Sequence, residues 1–199
     1  MGLENEFKQG DFAKYVGYNA KEGSWYKDKI IEVQNPTFIV NFPNIKKAWM
    51  YFEKGSAPDF RLFPSIETTD AEFPRPDGMT DKGKPKYQKG LVMQLFSNDA
   101  FDGLVDFSSN SILVCSAFWE MYLKYIAEEK NNSGMLPVIS SKKSKENIDK
   151  HGNFKPVLSL IKWVKTEAFN KSNVVPITAA PTTGGVAPQV IKTAATSEF

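Results

Sequence analysis

The sequence predicts a mainly β protein: a small barrel with one helix placed before its closing strands. Short runs of branched and aromatic residues, many alternating with polar ones, recur between loops rich in Gly, Pro, Asn and Asp over residues 27–166. Only one segment, 109–130, repeats its apolar residues at strong helical spacing. Two further strand-like runs follow that segment, so the helix interrupts the β structure instead of ending it.

Taken in order, the first strands are "KIIEVQ" (29–34), "PTFIVNF" (36–42) and "KAWMYFE" (47–53). "DFRLFP" (59–64) follows a Gly-Ser-Ala-Pro turn, and a long polar excursion occupies 67–90. "LVMQLF" (91–96) and "GLVDFSS" (103–109) read as a hairpin around Asn98-Asp99. In the helix, Ser109 or Ser111 is a suitable cap, and Ile112, Cys115, Phe118, Trp119, Tyr122 and Ile126 recur as its apolar face. "LPVIS" (136–140) and "KPVLSLIKWV" (155–164) close the barrel. Among small barrels the OB fold has this pattern, and its face and loops bind oligonucleotides. An open β-sandwich gives a similar pattern.

The flanks differ from this body. Residues 1–26 hold scattered aromatics without a clean period and read as an N-terminal arm. From 167 on, and most plainly from Asn170, the chain turns rich in Pro, Ala, Thr and Gly and reads as a disordered tail, since such a stretch cannot repay its ordering entropy.

Composition narrows the function. The 199 residues are 41% hydrophobic and 24% charged, ordinary for a soluble globular protein. A net charge of +2 means that any nucleic-acid footprint is a local patch. One cysteine excludes an internal disulfide. The chain shows no apolar run of membrane-spanning length and no signal-peptide centre, so the expectation is a soluble, cytoplasmic protein without a membrane partner.

Catalytic signals are thin. His151 is the only histidine and lies in a polar loop; Cys115 falls on the apolar side of the helix, where free cysteines are commonly inert. No Cys/His cluster has zinc spacing, and "GKPKYQKG" lacks the ending of a Walker motif. No cofactor or metal is expected. Asp99, Asp102 and Asp106 lie close in sequence and would suit a metal-dependent nuclease if they converged; turn chemistry is the simpler account of the first two.

Basic and aromatic residues carry more. Arg75, Lys82, Lys84, Lys86 and Lys89 outnumber Asp77 and Asp81 in the segment 75–90, which also holds Tyr87; Lys142, Lys143 and Lys145 form a second cluster. On the strand 47–53, alternation puts Ala48, Met50 and Phe52 on one face and Lys47, Trp49 and Tyr51 on the other. Arg61 and Phe63 fall on one face of the neighbouring strand. Rings on which bases stack, next to cations that track phosphates, suit a single strand better than a duplex, which would call for a basic helix. The competing account makes Trp49 and Tyr51 a second core covered by the helix or the N-terminal arm.

The succession "AWMYFEKGSAPDFRLFP", "KGLVMQLFS", "DFSSNSILVCSAFWEMY", "LPVI" and "FKPVLSLIKWV" resembles phage-encoded single-stranded DNA-binding proteins built on an OB fold, over about residues 30–165. The resemblance implies non-catalytic, largely sequence-independent binding of single-stranded DNA in replication or recombination, in the host cytoplasm, with replication or recombination proteins and further copies of the chain as candidate partners. It supports a basic, aromatic groove at Lys47, Trp49, Tyr51 and Arg61. Related bacterial proteins often end in an acidic tail with a terminal Phe that recruits partners; this tail is neutral, with Phe199 as its one echo. Two readings from other classes stand beside this one: a structural or protein-interaction β-domain of a phage, and the nuclease.

Overall fold

The computed structural model describes residues 14–28, 30–53, 58–143 and 148–171. Half of the N-terminal arm (1–13), part of the Gly-Ser-Ala-Pro turn, Lys145 and the tail from 172 lie outside the described residues.

The strands are β1 (Tyr15–Asn19), β2 (Ser24–Lys27), β3 (Ile31–Val33), β4 (Thr37–Val40), β5 (Lys46–Tyr51), β6 (Asp59–Leu62), β7 (Gln88–Ser97), β8 (Gly103–Ser109), β9 (Met135–Lys142) and β10 (Val157–Lys165). The helices are α1 (Asn98–Phe101), α2 (Ile112–Glu128) and α3 (Thr166–Lys171). The chain is mainly β, curled into an OB-like half-barrel with α2 before the closing strands.

The sheet runs β10-β9-β4-β7-β8-β1-β2-β3. β7 is its spine. One edge pairs with β8 from Leu91 to Ser97, and the other pairs with β4 at Leu95 and Phe96 and with β5 from Gln88 to Val92. β4 and β5 are thus two halves of one broken strand, bent at a 3-10 turn over Phe42–Asn44. Gly90 makes the β5–β7 approach feasible: a Cβ there would lie 2.7 Å from the Met50 sulfur and collide with the Ser109 carbonyl. The β7–β8 hairpin turns through α1, where the Ser97 hydroxyl accepts the Ala100 N–H at 3.2 Å and Asp102 stops the helix at φ 55°.

The main core fills the concave side. Leu91, Met93 and Leu95 of β7 meet Val105 and Phe107 of β8 and Val114, Phe118, Met121 and Tyr125 of α2. Trp25 sits at its centre, with ring centroids 5.2 Å from Phe38, 5.3 Å from Phe107 and 6.2 Å from Phe118. Its indole N–H donates to the Ser141 hydroxyl at 2.8 Å and ties β2 to β9 across the open side of the barrel.

Three details depart from the sequence reading. The N-terminal flank supplies β1 and β2, and Val16 and Trp25 are core residues, so the sheet begins well before residue 27. At the other end, Phe169 is buried against Phe96, so the packed body runs past 166. The buried face of α2 is also rotated. Ile112, Trp119 and Ile126 are exposed, while Val114, Ala117 and Met121 face inward. The helix is apolar nearly all round, so spacing alone offered more than one candidate stripe.

On the opposite sheet face Asp106 stands in register with Gln94, whose amide carbonyl accepts a hydrogen bond from Asn41. Burial pushes the Asp106 carboxyl from 3.8 up to about 6, against a hydrogen bond from Gln94 that draws it down. The folded protein therefore binds this proton more tightly than the unfolded chain. Stability falls as pH rises between about 4 and 6, and the loss persists above that range. Asp106→Asn should raise the melting temperature at pH 7, and the difference from wild type should vanish below about pH 4; thermal melts across that range check this.

Candidate nucleic-acid interface

The register of β5, β6 and β7 places Lys47, Trp49 and Tyr51 on one sheet face with Arg61, Tyr87, Lys89 and Leu91. That face continues the concave wall of the barrel beyond α2. It divides into a covered part and an open part.

The covered part lies under the segment 64–75, the start of the polar excursion. Trp49 and Phe63 are each only 2% exposed. The Trp49 indole N–H donates to the Phe73 carbonyl at 3.0 Å, Phe63 meets the Phe73 ring at 4.9 Å, and the Arg75 guanidinium lies 5.1 Å from the Trp49 ring centre. The Lys47 ammonium donates to the Thr68 carbonyl and stands 5.0 Å from the Phe63 ring centre. Burial, and then the nearby Lys89, push that ammonium's pKa down. Lys89 itself reaches both Asp70 carboxylate oxygens at 2.8 Å. The segment is held internally as well. The Thr69 N–H and hydroxyl donate to the Glu72 carboxylate at 2.7 and 2.9 Å, and the Glu72 N–H returns to the Thr69 hydroxyl at 3.3 Å, a capping box closing a tight turn.

Trp49 and Phe63 are therefore not solvent-facing platforms. Of the pair that the competing account buries, Trp49 is core, packed with Phe63; among the described residues its cover is the segment 64–75. The fate of Phe52 is reversed too. Ala48 and Met50 are fully buried as expected, whereas Phe52 is 45% exposed, because β5 ends at Tyr51 and runs past the residues that cover Met50.

The open part lies at the far end of β5 and β7. The Tyr51 and Tyr87 rings stand 5.8 Å apart, tilted by 46°, and the Lys86 ammonium lies 5.6 Å from the Tyr51 ring centre. Phe52 turns to the opposite, Met50 face, 5.8 Å from Phe60. The Tyr87 hydroxyl donates to Asp59, which also takes the Arg61 guanidinium at 3.2 Å, so a carboxylate fixes one ring and one cation together. Desolvation, with Glu53 and Asp81 nearby, holds the Tyr51 hydroxyl pKa above its usual value.

A short arm projects beside these rings. Met79 pairs with Pro85, the Thr80 N–H donates to the Lys84 carbonyl at 2.7 Å, and Gly83 turns the tip at φ 68°. Lys82, Lys84 and Lys86 are exposed along the arm. Together with Tyr51, Phe52 and Gln88, the arm frames a shallow cavity of about 410 Å³.

Lys142 and Lys143 are elsewhere. They end β9 beside the start of β4, whereas Tyr51 ends β5, so the length of the broken β4–β5 strand separates the two lysine clusters. Lys143 donates to the Glu22 carbonyl and lies 4.5 Å from the Phe154 ring centre, at the open seam of the half-barrel.

The three aspartates do not converge. Asp102 pairs with Lys27, Asp106 bonds with Gln94, and Asp99 lies in the first turn of α1. Among the described residues, no three His, Cys, Asp or Glu side chains come together as metal ligands. Cys115 is mostly buried, and desolvation pushes its thiol pKa up to about 11, far from a reactive thiolate. His151 is exposed on its loop, its backbone N–H donating to Asp149 at 2.8 Å.

Among the described residues, no helix is long and apolar enough to cross a membrane. The site is thus the open end of paired strands in a β half-barrel, built from paired rings and a lysine-bearing arm. The chain matches no known protein family, no curated protein and no solved structure.

Proposed function

We propose that the protein binds single-stranded DNA without sequence preference, and that the Tyr51–Tyr87 edge with its lysine arm is the binding surface. The observation that carries this reading is the pairing of two partly exposed rings, with the Lys86 ammonium over one of them, on the concave side of an OB-like half-barrel. Bases stack on Tyr51 and Tyr87. Lys82, Lys84, Lys86 and Arg61 meet the phosphates. Since stacking reads no base edge, recognition is tolerant of sequence. Protection of single strands during phage replication or recombination is the role that such binding serves.

Titration of the full chain with oligo-dT at two salt concentrations tests this. The logarithm of affinity should fall linearly with the logarithm of salt, by ~0.7 per phosphate contacted. Changing Lys82, Lys84 and Lys86 together to Gln should flatten that slope by about 2. Binding indifferent to salt, or no binding, would contradict the proposal.

A further inference from the structure

Lys89 lies on the same face of β7 as Tyr87, one side-chain repeat further into the groove. A strand of DNA following the rings inward reaches it next. In the free protein its ammonium is already occupied, with the Asp70 carboxylate presenting both oxygens at 2.8 Å. Two oxygens of one anionic group, set against one lysine, are what a phosphate would offer at the same place.

We infer that Asp70 is a resident phosphate mimic, and that Lys89 is a latent phosphate subsite which DNA gains only by displacing that carboxylate. The inference rests on the proposed DNA-binding reading. Several features fit displacement at Asp70 without loss of the whole cover. The segment is pinned on either side of Asp70, at Thr68 by Lys47 and at Phe73 by Trp49, and its turn is closed by Thr69 and Glu72. Asp70 lies within that turn, but its carboxylate is not used to close it; the hydrogen bonds of that carboxylate go to Lys89. The ion pair is half-exposed on both sides, 47% for Lys89 and 52% for Asp70, where such pairs are weak. Its side chain can therefore swing out while Phe73 remains packed. The need for a local anion is evident too, since Lys89 and Lys47 are close enough for one to depress the other's pKa. The consequence is a threshold: weak polyanions fail to dislodge Asp70, while a strand already held on Tyr51 and Tyr87 can.

A double-mutant cycle on the full chain, read by oligo-dT titration, tests this. Asp70→Asn keeps the side-chain shape and frees Lys89. It should tighten binding roughly five- to tenfold at about 50 mM salt and steepen the salt slope by about 0.7, the share of one further phosphate. In a Lys89→Ala background the same change should do nothing. Unchanged affinity and slope on Asp70→Asn would overturn the inference alone, as would a gain that persists without Lys89, since that is only the removal of a negative charge from the surface. A wild type that fails to bind oligo-dT would overturn both this inference and the function on which it rests.

Discussion

Trp49→Ala should destabilise the fold by about 3–5 kcal/mol, the usual cost of emptying a buried aromatic site. It should weaken DNA binding only by the fraction of molecules unfolded. The ring is 2% exposed, stacks against Phe63 at 5.6 Å and donates to the Phe73 carbonyl. Truncation therefore leaves a cavity under the segment 64–75 and a carbonyl without its donor. Thermal melts and oligo-dT titration on the same sample separate the two effects. A variant that melts like wild type but binds DNA poorly would show that Trp49 is a contact residue after all. Phe52→Ala should cost far less stability than Trp49→Ala in the melts, because its ring is nearly half in solvent.

Tyr51→Ala and Tyr87→Ala should each weaken oligo-dT binding by ~1–3 kcal/mol, the worth of one stacked base, or roughly five- to 150-fold in affinity. Both rings are half-buried at the end of the sheet, so the melting temperature should change far less than for Trp49→Ala. Tyr51→Phe keeps the stacking surface and should bind nearly as wild type. Tyr87→Phe loses the bond to Asp59, so a small loss there would measure how much that carboxylate steadies the ring. If neither alanine variant affects binding while both stay folded, the open edge is not the DNA site.

The contrast between Trp49 and Tyr51 shows what the sequence could and could not disclose. The two lie on one strand, on one face, two positions apart, and period-2 alternation placed both correctly relative to Met50. Their different exposure is decided by a segment far along the chain, which docks through Phe73 and Ile66. A signal existed: those two apolar residues stand in an otherwise polar stretch, "SIETTDAEF", as anchors of a loop with something to cover. The alternation failed at Phe52 for a related reason, since a face stays buried only as far as something lies over it.

Strands with a hydrophobic run were legible, as β4, β7, β8, β9 and β10 show. β1 and β2 were not. "YVGYN" and "SWYK" are short, and β1 joins the sheet through a parallel pairing with β8 that has no local signature. Trp25 accordingly looked like one scattered aromatic, although five other rings gather around it. The lysine clusters were legible as clusters. Their separation was not, because it follows from β4 and β5 forming one long broken strand along β7, with β9 joined at its outer end.

Photocrosslinking tests the central claim most directly. The full chain, bound to an oligonucleotide carrying 5-iodouracil, would be irradiated and the linked peptides mapped by mass spectrometry. Linkage is expected at Tyr51 and Tyr87, with loss of the Tyr51 product alone in Tyr51→Ala. Linkage confined to the seam around Lys142, Lys143 and Phe154, or to the exposed face of α2 at Trp119, would contradict it.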